Sequence, residues 1–146
     1  MFRPLNLDLM TLQRVMLCLF LFIGLGLDTS AQIRESESAK IAYRIVETSP
    51  RCKQLTKGLF ERIVKNGGTS FGVMLESSPN PKTDPSQSYS KTYNFNLHES
   101  YSDRMPVIAR FVFDPAKRQL FEEDTVEGKL VPISFNRKLL VLFDRK

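Results

Sequence analysis

The sequence predicts an α+β domain in which N-terminal helical structure packs on a four- to five-stranded antiparallel sheet. Three observations carry this. Apolar residues recur at three-to-four spacing up to Asn66. Gly67-Gly68 then stops the helix, because glycine accepts the left-handed conformation at a C-terminus. Beyond Gly68 the apolar period becomes two, the rhythm of a half-buried strand.

The elements follow in order. Over residues 36–47, Ile41, Ala42, Ile45 and Val46 share one helix face. Ser49 caps the next stretch, and Pro50 suits a first turn where its missing N–H is not needed. Cys52, Leu55, Leu59, Phe60 and Ile63 continue the apolar stripe. The two stretches are separate helices or one helix kinked at Pro50. Phe71, Val73 and Leu75 alternate in a first strand. Residues 77–88, SSPNPKTDPSQS, hold three prolines and no large apolar side chain, which predicts a loop without regular structure.

Tyr93, Phe95 and Leu97 mark a second strand. A third, over residues 107–113, is apolar on both faces apart from Arg110 and so belongs near the sheet centre. Asp114-Pro115 signals a type I turn. A fourth strand follows over residues 119–126. Residues 130–135 make a fifth, which Pro132 relegates to an edge. Residues 136–143 fit a strand or a short helix equally. Short connections imply antiparallel pairing.

Chain length and composition bound the rest. The 146 residues include 21 Lys plus Arg and 16 Asp plus Glu, for a formal charge of +5. Val15 to Leu27 is an uncharged apolar run after Arg3 and Arg14, and Ala31 offers a small residue for cleavage. This pattern is that of a secretory signal peptide over residues 1–31, since thirteen apolar residues fall short of the roughly 20 a membrane span needs. The expected product is an exported protein, secreted or periplasmic, with a single α+β domain over residues 32–146 and no membrane span after cleavage near Ala31. That domain keeps one cysteine, Cys52, and therefore no internal disulfide.

The arrangement resembles a cystatin-like domain, in which a curved antiparallel sheet wraps an N-terminal helix. The stretch FVFDPAKRQLFEEDTVEGKLVPISF, residues 111–135, is similar to the tail of uncharacterised small exported bacterial proteins of this shape. The resemblance covers residues 49–135. Cystatin inhibitors carry a Gln-x-Val-x-Gly hairpin that is absent here, and the proline-rich loop 77–88 takes the equivalent place. Protease inhibition is what the resemblance leaves open, because fold alone does not specify function.

Candidate chemistry is sparse. His98 is the single histidine and the one side chain that titrates near neutrality without perturbation. An enzyme reading uses it as a general base, oriented by Asp103, in a pocket between helix and curved sheet. Cys52 lies on the apolar stripe and reads as a core residue rather than a nucleophile. Glu122, Glu123, Asp124 and Glu127 lack the spacing of a calcium loop and read as a solvated strand edge. No phosphate loop, nucleophile elbow or zinc spacing is present, so no metal or cofactor is expected. Basic residues are interleaved with acids, which disfavours nucleic-acid binding.

The aromatics of the sheet are the remaining signal. Tyr93, Phe95, Phe111 and Phe113 would form a binding face for a protein or peptide partner if nothing covered them. The alternative is that the C-terminal LLVLF, residues 139–143, folds back over the sheet. Strand addition at the Pro132 edge is a second route. The leading expectation is a non-enzymatic binding module.

Overall fold

The computed structural model describes residues 36–144. The expected signal peptide, residues 1–31, and the start of the domain at residue 32 lie outside the described residues. Among the described residues three helices precede the sheet: α1 (Glu37–Glu47), α2 (Pro50–Thr56) and α3 (Leu59–Lys65). Six strands follow: β1 (Ser70–Ser78), β2 (Ser88–Tyr89), β3 (Tyr93–Ser100), β4 (Val107–Asp114), β5 (Gln119–Asp124) and β6 (Lys129–Ile133). A final helix, α4 (Lys138–Asp144), ends the described chain. The sheet order is β2-β1-β3-β4-β5-β6. Every pairing is antiparallel except β1 with β2, which is parallel.

Local chemistry sets the helix boundaries. Ser36 Oγ accepts from Ala39 N–H at 3.1 Å and starts α1. Ser49 Oγ accepts from Cys52 N–H at 3.2 Å, with Pro50 in the first turn of α2. A side-chain acceptor there satisfies one of the free N–H groups of a helix start. The stripe from Cys52 to Ile63 is not one helix, as its spacing predicts. It breaks at Lys57-Gly58, where Gly58 adopts φ 65° and caps α3. Gly68 is required by space: a Cβ there would lie 2.5 Å from Ile63 Cγ2 and 2.9 Å from the Ser100 carbonyl.

The sheet has one strand more than the alternation predicts. Ser88 and Tyr89 pair with Ser77 and Ser78 at the end of the proline-rich segment. Serine hydroxyls fix that segment instead of apolar burial. Ser78 and Ser86 share a hydrogen bond of 2.9 Å, and Asn94 Nδ2 donates to Ser77 Oγ at 2.5 Å and to Ser90 Oγ at 3.1 Å. A period-two reading of side chains has no access to such contacts. Residues 136–143, undecided from sequence, form a loop and the helix α4, and Pro132 does lie in an edge strand.

The core lies between helices and sheet. Ile41, Ala42, Ile45 and Val46 of α1 meet Phe95, Leu97 and Phe111 of the central strands, all buried. α4 adds Leu139 and Leu140, and its Phe143 sits edge-on to Phe113 at 5.4 Å and to Tyr93 at 6.0 Å between centroids. One two-pronged ion pair ties the layers. Arg51 Nε donates to Glu122 Oε2 at 2.7 Å and Nη2 to Oε1 at 3.0 Å.

Candidate functional site

Alternation along β3 and β4 sorts the sheet into two faces. Tyr93, Phe95 and Leu97 point toward the helices, as do Ala109, Phe111 and Phe113. Their registers pair Tyr93 with Phe113 and Phe95 with Phe111. Tyr93 is 5% exposed, Phe95 1%, and Phe111 and Phe113 0%. The four aromatics expected to form a binding face are therefore core residues. The reason is the C-terminal segment: as α4 it covers Tyr93 and Phe113 on the same face that α1 occupies.

The opposite face carries Asn94, Asn96 and His98 from β3, Arg110 and Val112 from β4, and Phe121 and Glu123 from β5. Among the described residues no helix covers it. It holds a half-open cleft of about 460 Å3, lined by Asn96, Arg110, Val112, Phe121, Glu123 and Leu130 among others. Asn96 Nδ2 donates to Glu76 Oε2 at 2.9 Å. Arg110 approaches Glu123 at 3.8 Å, too far for a hydrogen bond. Lys117 Nζ lies 5.8 Å above the Phe121 ring and 3.5 Å from Asp114. The cleft thus joins apolar floor to loosely held charges of both signs. That combination suits a ligand with apolar and polar groups in alternation.

His98 stands on this open face, half-buried, opposite Gly72 in the register. A Cβ at position 72 would lie 3.5 Å from His98 Cε1, so the ring occupies the space above the glycine. Its Nδ1 is buried and has no hydrogen-bond partner among the described residues. Asp103 lies in the exposed loop after β3, where it pairs with Arg104 at 3.4 Å. No hydrogen bond or ion pair joins Asp103 to His98, so the pair proposed for the enzyme reading is not assembled.

The other candidates have structural employment. Cys52 is 2% exposed. Burial pushes its thiol pKa up, with a smaller contribution from Glu47, which suppresses the thiolate a nucleophile needs. Glu122 binds Arg51. Asp124 Oδ1 accepts from Val126 N–H at 2.9 Å and Glu127 N–H at 3.2 Å and so closes its own turn. Glu127 pairs with Lys129 at 2.8 Å. Among the described residues no cluster of three or more His, Cys, Asp or Glu side chains is placed to hold a metal ion, and no helix is long and apolar enough to cross a membrane.

One polar feature had no sequence signal. Asp84, within the proline-rich segment, is 1% exposed, and neither carboxylate oxygen has a hydrogen-bond partner among the described residues. A loop aspartate normally faces water, and nothing in TDPS says that this one turns inward. Comparison with known proteins finds no matching family model, no matching curated sequence and no matching solved structure.

Proposed function

We propose that this chain is a non-enzymatic binding module whose partner is an extended peptide or protein segment taken up on the open face of the sheet. One observation supports the reading above the others. The face without helices carries the 460 Å3 cleft, and its wall residue Leu130 belongs to β6, the edge strand. A segment lying beside β6 reaches the cleft without any rearrangement. Leu130 and Val131 are 46% and 48% exposed and offer apolar contact on either side of the strand. Pro132 limits backbone pairing there, since it has no N–H. Side-chain recognition by Arg110, Phe121 and Glu123 therefore carries the specificity. The export expected from residues 1–31 places the encounter outside the cytoplasm. The proposed cystatin-like arrangement belongs to this reading as well; it is compatible with a protein-binding role and does not by itself specify one.

The test is selection of peptides from a display library against the protein, followed by two substitutions in the cleft. Arg110→Glu and Phe121→Ala are expected to weaken the selected peptides tenfold or more while the melting temperature holds. Peptides that bind both variants as tightly as the parent would place recognition elsewhere.

A further inference from the structure

The two edges of the sheet are protected unequally. β6 carries Lys129 and Pro132, two devices by which natural proteins discourage strand-to-strand association. β1 carries neither. Its outer side pairs with β2 only at Ser77 and Ser78, and Gln87 N–H donates to the Glu76 carbonyl at 2.9 Å. From Ser70 to Leu75, SFGVML, no strand adjoins that side among the described residues. The stretch contains no proline, no charge and no bulge. An edge of this kind is a template for another strand.

We infer that β1 is a homodimer interface, in which two copies pair their β1 strands antiparallel about a two-fold axis at Val73. The register that such an axis imposes is self-complementary in size. Gly72 of one copy faces Met74 of the other, so the thioether, 41% exposed in the single chain, meets Gly72 and the edge of the His98 ring that packs over it. Phe71 faces Leu75 on the helix side, and Val73 faces its own symmetry mate. Isologous contact of this kind needs each patch to complement itself; the stretch 70–75 is uncharged, and the register sets Glu76 opposite Ser70 of the copy, so the strands meet without like-charge repulsion.

A strand pair alone buries less than the roughly 1,000 Å2 expected of a specific interface. In the proposed dimer α3 joins β1 in the interface. It is the helix with the most extensive contact on β1, and it exposes Phe60 and Val64, four residues apart, at 51% and 49%. Glu61 and Arg62 beside them provide both signs of charge for a two-fold contact. The inference is independent of the peptide-binding reading, because Met74, Phe60 and Val64 do not line the cleft.

The test is sedimentation equilibrium of the protein recovered from expression of the full chain, over a roughly hundredfold range of concentration. A dimer is expected. Met74→Lys is expected to be a folded monomer whose melting temperature no longer depends on concentration, because its side chain is already at the surface of one copy. Val131→Lys, at the other edge, is expected to remain dimeric. Hydrogen exchange of the unsubstituted protein gives an independent readout: the β1 amides should slow as concentration rises. A monomer at all concentrations would overturn the inference, whether the β1 amides exchange freely or are protected within one chain. So would a dimer that Val131→Lys dissociates and Met74→Lys does not.

Discussion

Phe111 and Arg110 are neighbours in β4, yet they belong to different worlds. Phe111 is fully buried beneath the helices, while Arg110 lines an open cleft on the other side of the same sheet. The helical face is dry, aromatic and interlocked. The open face is mixed in polarity: Glu76 is held by Asn96 at 2.9 Å, whereas Arg110–Glu123 and Lys117–Asp114 are looser contacts of 3.8 and 3.5 Å. The contrast separates two uses of an apolar or aromatic residue. Tyr93, Phe95, Phe111 and Phe113 specify the fold, whereas Phe121 is half-buried and lines the open cleft.

Four measurements break or sharpen this contrast. The largest effect belongs to Phe111→Ala, which should destabilise the protein by about 3–5 kcal/mol, as removal of a buried aromatic does; chemical denaturation would register it. Next comes α4. Leu139→Ala should remove about 2–3 kcal/mol and raise the binding of a hydrophobic dye, because loosening α4 uncovers Tyr93 and Phe113. If Leu139→Ala leaves stability intact, the helical face does not need its C-terminal cover.

The third concerns the link between layers. Arg51 and Glu122 are partly exposed, at 38% and 21% for their side chains, so solvent screening reduces their contribution. Arg51→Ala should cost about 1 kcal/mol, and the loss should shrink in high salt. The smallest effect in stability belongs to the open face. Val112→Ala should change stability by about 1 kcal/mol or less, as shown by melting curves, even as it alters the cleft.

Alkaline pH supplies a separate check on the dry face. Burial raises the pKa of the Cys52 thiol and of the Tyr93 phenol above their ordinary values. For each, the folded protein holds the proton more tightly than the unfolded chain. The associated stability is intact below the unfolded value, about 8.5 for a thiol and about 10 for a phenol. It is lost as pH rises through the folded value. Stability should therefore decline above about pH 8.5, and Cys52→Ala should remove the first part of that decline. A profile that is the same in Cys52→Ala would show that the thiol is not held in a dry environment.

Much of the architecture was legible in the sequence. The change of period at Gly68 located the helix-to-sheet transition, Ser49-Pro50 marked a helix start, and Pro132 marked an edge. Period-two alternation identified which residues share a face, but not which face would be covered. That depended on residues 136–143, whose pattern fits strand and helix alike, and on their docking across residues distant in sequence. The split at Gly58 was hidden because Leu59 and Ile63 keep the helical spacing across the break. β2 was hidden because hydroxyl contacts leave no hydrophobic rhythm, and Asp84 because a polar loop residue gives no sign that it turns inward.

The cleft was legible only as its residues and not as a site. Arg110 stood out as the charge in an otherwise apolar strand, and it proves to face the side without helices. The most direct test of the account is the affinity of a selected peptide for Arg110→Glu, measured well below its melting temperature. The account predicts at least tenfold weaker binding by a protein as stable as the parent. Undiminished binding, or binding lost only because the protein unfolds, would contradict it.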